Sequence, residues 1–287
     1  MIGKCKLYDI ECELKKSHLI PKFAFDYMKK TGGKFLRGHE NPNKRVQDGI
    51  TKFLLGEKAE QEFSKRERWF ANNIFFPYLE DNKQLFHYNE DLAYFMVSVF
   101  WRVLLDQLEH PTSNVPELKF LNETADEWKE FLANNKHPKN FDNLNIFLTD
   151  RISNSVSNLK SSDIYLSRMI DATIVVNNDY STVAVYVKFL RFIMWSVVKG
   201  KPTTGNNLSV SFSPSKLILP QSIQDKYFGG FLYNRIKMID DGPKISAEQE
   251  KKIVEEILKN EKDFFNSDMY KSLKNDNNLN KKSATNK

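Results

Sequence analysis

An α+β fold is what this 287-residue sequence predicts, and three patterns in it lead there. Between Asn89 and Asn134 apolar residues recur at helical spacing in two runs, which suits an αα-hairpin. Between Ile164 and Val198 the composition shifts toward β-formers, residues that fit a pleated, half-buried surface. Near the start, short apolar–polar alternation around Cys5–Tyr8 and Leu14–Ile20 is compatible with a small hairpin. The expected organisation is a small N-terminal module over 1–79, then a larger, mainly helical domain over 80–265 with a few strands at 173–198. Residues 266–287, rich in Lys, Asn and Ser, are expected to be disordered.

Taking the elements in order, Lys22–Lys30 carries Phe23, Phe25, Tyr27 and Met28 and predicts a short helix, with Thr31-Gly32-Gly33 as its stop through left-handed glycine geometry. Gly38–Gly49 is rich in turn residues and reads as an exposed loop. Glu57–Asn72 is helical in pattern, with Ala59, Phe63, Phe70 and Trp69 on its apolar side. Asn73–Leu79 reads as a connection. Asn89-Glu90-Asp91 combines a capping side chain with acidic residues in a first turn, and the helix it opens should run to about Glu109 and stop at His110-Pro111.

A second helix should run from Val115 or Pro116 to Asn134. Asn140–Lys160, with Phe141, Leu144, Ile146, Phe147, Ile152 and Val156, suggests one or two shorter helical segments. Thr173–Val176, Thr182–Val187 and Phe192–Val198 suggest two or three strands, with Asn177-Asn178-Asp179 as a hairpin loop. A buried helix over 183–198 competes, because a continuous apolar run hides its period. After the boundary at Asp240–Pro243, Ser246 is a cap for a helix with Ile253, Ile257 and Leu258 on one face.

Composition narrows the class of protein. A hydrophobic fraction of 40% supports a folded core, while 28% charged residues and a mean hydropathy of −0.54 argue against a membrane protein. The longest apolar run, Leu92–Leu105, is interrupted by Ser98 and Arg102 and is too short to span a bilayer. The first residues lack the apolar core of a signal peptide, so the expected location is cytoplasmic. The net charge of +6 is concentrated: residues 1–70 hold 16 Lys and Arg against 10 Asp and Glu, and the remainder is balanced. Such a local excess is the electrostatic footprint of a phosphate-backbone binder, and solvated lysines produce it too. Cys5 and Cys12, the only cysteines, are not spaced as a short zinc knuckle.

His18, in Lys16-Ser17-His18-Leu19-Ile20-Pro21, is a candidate general base, since its ordinary pKa lies near neutrality and the following proline fixes the chain. A histidine that caps a turn is the alternative. Ser64 and Glu67 share a helix face, and an ordinary solvated pair is the plainer reading of them.

The order Cys5-x-x-Tyr8, Leu14 to Phe23, Lys44-Arg45-Val46-Gln47-Asp48-Gly49 and Leu54 to Ser64 resembles a bacterial family of HNH-endonuclease-like proteins with a treble-clef zinc knuckle. That resemblance implies a ββα-metal module in which His18 activates water and a divalent cation, Mg or Mn, stabilises the phosphorane. If the site is active, Glu60, Asp48 or Glu67 is expected to help bind the cation, and the basic residues Lys16, Lys22, Lys44 and Arg45 are expected contacts to DNA or RNA. Aligned by motif, the knuckle positions read Cys5, Tyr8, Gly56 and Ala59, so three of four thiolates are absent and no structural zinc is expected. Ser17 stands where an acidic or histidine ligand often precedes the base.

Three functions follow as expectations. The first is a nucleic-acid-binding protein that has lost its zinc and is impaired in cleavage. The second is an active metal-dependent endonuclease with His18 as base. The third is a non-catalytic interaction protein with a protein partner, in a mobile-element or defence system.

Overall fold

The computed structural model describes residues 1–33, 35–109, 118–138, 143–155, 158–177 and 179–285. The chain is α+β. Strands β1 (Ile2–Lys4) and β2 (Glu11–His18) form the opening hairpin, followed by α1 (Lys22–Lys30), β3 (Leu36–Arg37), β4 (Arg45–Val46) and β5 (Thr51–Gly56). Helix α2 (Glu57–Phe70) follows β5 directly and continues through a π-helical turn (Ala71–Phe75) into α3 (Phe76–Leu79). The expected connection at Asn73–Leu79 is therefore helical: Ile74, Phe75 and Tyr78 have core to bury, and Pro77 lies in the first turn of α3, after the π-helical turn.

The N-terminal sheet is antiparallel in the order β1-β2-β5, with a bulge between Lys15 and Lys16. Cys5–Tyr8, expected to alternate as strand, is instead the tight turn of the hairpin, where the Cys5 amide donates to the Ile10 carbonyl at 2.9 Å. Helix α1 stops where expected but by another device. Thr31 ends it at φ −107° with its hydroxyl donating to Tyr27 O at 2.7 Å, and neither glycine is left-handed. A side chain at Gly32 would instead collide with the Arg168 guanidinium.

The remaining chain runs β6 (Leu85–Tyr88), α4 (Glu90–Glu109), α5 (Leu118–Asn134), β7 (Leu144–Leu148), α6 (Ser162–Arg168), β8 (Ile170–Val176), β9 (Val183–Phe189) and β10 (Phe192–Lys199). Three short strands, β11 (Gly205–Asn206), β12 (Ser215–Ile218) and β13 (Ser222–Ile223), lead to α7 (Lys226–Asp241), α8 (Ala247–Lys259), α9 (Glu261–Asn266) and α10 (Asp268–Thr285). Asn89 starts α4 as expected, its Oδ1 accepting from the Asp91 amide at 3.1 Å. Helices α4 and α5 pack together, with the Trp101 indole donating to Ala125 O and the Tyr94 hydroxyl to Leu132 O. The expected features at His110-Pro111, Val115, Pro116, Asn140, Phe141, Val156 and Asn178 lie outside the described residues.

A four-stranded antiparallel sheet, order β7-β10-β9-β8, forms the centre of the second half. Residues 183–198 are strands, and the helical alternative fails. The period was hidden because both faces are covered: Val183, Val185, Val187 and Phe189 face the main core, while Ala184 and Tyr186 join a second cluster with Phe228 and Phe231 of α7. The same two-sided burial explains Leu144–Leu148, expected as helix and found as β7 against β10. Ser246 caps α8 as expected, but Leu258 is exposed while Ile253 and Ile257 are half-buried.

Residues Asp268–Thr285, within the stretch expected to be disordered, form α10. Asp276 accepts hydrogen bonds from the Asp163 and Ile164 amides at 2.8 and 2.9 Å, capping the start of α6, and Ser272 and Leu279 are buried. The tail has little apolar surface to bury, yet it docks by satisfying orphan backbone donors. One hydrophobic cluster runs from Cys5 to Leu217 across residue 79, with Phe70 of α2 stacked on Phe95 of α4 at 4.2 Å. No helix among the described residues is long and apolar enough to cross a membrane.

Candidate nucleic-acid interface at the end of the second strand

Successive side chains of a strand point to opposite faces, and the end of β2 separates two environments in this way. Ser17 turns inward, is fully buried, and donates to Glu60 Oε1 on the first turns of α2. His18 is half-buried, with Nε2 3.0 Å from Asp48 Oδ2 in the loop before β5. The ring N–H does not point along this contact, so it is a close electrostatic approach and not an aligned hydrogen bond. The other Asp48 oxygen accepts from the Gly49 amide at 2.8 Å. Burial pulls the Asp48 pKa upward, but His18, the Gly49 amide and nearby Lys29 together outweigh it and hold the carboxyl below its ordinary value.

The backbone of His18 is fixed from behind. Arg102, buried in α4, donates to the His18 carbonyl through Nη1 and to Glu67 Oε1 through Nη2, both at 2.7 Å, and to Ser98 O through Nε at 3.2 Å. Its guanidinium also lies over the Phe63 ring at 5.4 Å. Sequence reasoning missed this role, reading Arg102 only as an interruption in an apolar run. The available signal was that a lone arginine inside a buried helix requires a carboxylate or carbonyls nearby.

The three expected cation ligands do not come together. Asp48 is committed to His18 and Gly49, Glu60 to Ser17, and Glu67 to Arg102. Among the described residues no three His, Cys, Asp or Glu side chains are grouped to hold a metal ion. The three carboxylates therefore do not converge on one point, where Mg or Mn would take one or two of them together with water and phosphate oxygens. For zinc, Cys5 is buried, Cys12 half-buried, and both thiols are free. A Cβ on Gly56 would lie 3.9 Å from Cys5 Cβ and run into Cys12 Sγ. Positions 5 and 56 thus face each other across a space that Cys12 fills, and Ala59 is fully buried.

Of the expected phosphate contacts, Lys16, Lys22 and Lys44 are exposed and have no ion-pair partner among the described residues. Arg45 is engaged elsewhere, 3.1 Å from Glu256 of α8 and over the Phe35 ring at 4.6 Å. Lys16 pairs in register with Phe53 of β5, which is 46% exposed, so a cation and an aromatic ring stand opposite each other on the strands. No protein family, curated protein or solved structure was found to match the chain.

Proposed function

We propose that the N-terminal module binds nucleic acid, DNA or RNA, along the open side of β2 and β5 without metal-dependent cleavage. The observation that carries this reading is the Lys16–Phe53 pair beside His18. A mobile ammonium neutralises phosphate while an exposed ring stacks on an unpaired base, a combination suited to single strands. Lys22 and Lys44 add free positive charge, and they belong to the region holding all of the chain's excess. The resemblance to HNH-like proteins supports the same partner. The dispersal of Asp48, Glu60 and Glu67 to separate partners favours binding over cleavage.

Fluorescence anisotropy with labelled single-stranded RNA, single-stranded DNA and duplex DNA across a salt series tests the reading. Each neutralised phosphate contributes about 0.7 to 0.9 to the slope of log affinity against log salt, so Lys16→Ala/Lys22→Ala/Lys44→Ala should lower the slope by about 2. Phe53→Ala should weaken the single strands more than the duplex. Absence of binding at low salt, or a slope unmoved by the triple substitution, rejects the proposal. In parallel, plasmid incubated with Mg or Mn should show no nicking that His18→Ala removes.

A further inference from the structure

The two edges of the central sheet are treated in opposite ways. At the β7 edge, main-chain groups are covered: the Ile146 amide donates to Leu208 O and the Val210 amide to Leu144 O, both at 2.9 Å. The Gln221 side chain completes this seal by accepting from the Leu148 amide and donating to Ile146 O. At the β8 edge nothing comparable exists among the described residues. Asn177 N–Thr182 O and Leu190 N–Met169 O mark the odd-numbered residues of β8 as those bonded to β9. The amides and carbonyls of Ile170, Ala172, Ile174 and Val176 therefore point outward. Only one of these groups has a protein partner among the described residues, Ile174 O, which accepts from the Thr173 hydroxyl at 3.3 Å.

Exposure agrees with this. Both faces of β8 are covered, since Ile170, Ala172, Ile174 and Val176 pack on the main core and Val175 on the second cluster. Yet every residue of β8 is half-exposed, whereas every residue of β9 is buried. The open side is the edge itself. Exposed edges are ordinarily protected by lysine, proline or a bulge, and Ile-Asp-Ala-Thr-Ile-Val-Val has none of these. Its one charge, Asp171, is already held by Arg235.

We propose that β8 is a pairing edge for a second copy of this chain, which adds antiparallel and makes one continuous eight-stranded sheet. The four outward residues are symmetric about Thr173, so a two-fold axis there sets Ile170 opposite Val176 of the second copy and Ala172 opposite Ile174 of the second copy. All the outward groups are then used, in about eight main-chain hydrogen bonds. In this register Asp171 meets Val175 of the second copy, and no like charges oppose each other.

Sedimentation equilibrium of the full chain over a concentration series tests this, with twice the 33.6 kDa chain mass expected at the upper end. Ala172→Pro removes an outward N–H and leaves the β9 ladder intact, so it should raise the dimer dissociation constant by at least about tenfold, the loss of roughly two hydrogen bonds. Hydrogen exchange supplies a reading independent of that variant's folding: the amides of Ala172 and Ile174 should be protected in concentrated wild-type protein and lose protection on dilution. A monomer at every concentration overturns the proposal. A dimer in which those two amides exchange freely, or an edge that takes up a foreign extended peptide while the chain stays monomeric, overturns it equally.

Discussion

Arg102 satisfies a helix carbonyl, a carboxylate and the carbonyl of His18 at once, so its removal leaves three acceptors short of donors. Glu67 is partly open to water, which limits the penalty on that side. Arg102→Met keeps the apolar volume and should destabilise the protein by about 3 kcal/mol, measured by urea unfolding. Adding Glu67→Gln should recover part of that loss, because the stranded charge is gone. Equal stability of Arg102→Met and wild type would mean that the guanidinium does not organise this end of β2. Ser17–Glu60 and His18–Asp48 show how one residue step turns chemistry from the interior to the rim.

At the level of elements, α10 caps the start of α6 with one carboxylate in a crowded acidic setting. Burial, with Asp163 and Asp240 nearby, raises the Asp276 pKa to about 6 despite the two backbone amides that favour its ionised form. Arg151 lies 3.1 Å from the neighbouring Asp163. A carboxyl raised on folding has the opposite linkage from a paired surface carboxylate. Its contribution is fully present below about pH 4, where both states are protonated, and is lost as pH rises through about 6. The loss by pH 7.5 is on the order of 3 kcal/mol. Asp276→Asn should remove that portion of the pH dependence, so the difference in unfolding free energy between wild type and variant should change between pH 4.5 and 7.5. Parallel curves would place the Asp276 pKa near its ordinary value.

The whole molecule is joined by the aromatic core shared between α2, α4 and the central sheet. Phe70 stacks on Phe95 and meets Phe189 and Phe192 edge-on, so residues on either side of position 79 complete each other's packing. An isolated 1–79 fragment would expose Phe63, Phe70 and Phe75, all fully buried in the chain. It should show no cooperative thermal transition, while the full chain unfolds in one transition that coincides by circular dichroism and tryptophan fluorescence. A fragment that melts cooperatively would show that the N-terminal module supports its own core.

Local chemistry made much of this protein legible in advance. The Asn89 and Ser246 caps, the α1 apolar face, the α4–α5 periodicity and the β-rich stretch after Thr173 are set by residues a few positions apart, and the sequence by itself determined them. His18 and the free lysines were legible as residue types at a basic N-terminus. What only the tertiary structure decided depends on distant partners. Leu144–Leu148 and 183–198 are strands because both faces find cover, and Asn73–Leu79 is helical because its aromatics have a core to enter. Helix α10 is docked because Asp276 reaches amides 113 and 112 residues away in sequence. Lys188 is buried in β9 because the Met169 and Leu190 carbonyls receive it. The carboxylates expected around one cation are spread over a histidine, a serine and an arginine. A spacing in sequence restricts which faces residues share, but long-range contacts determine which charges meet.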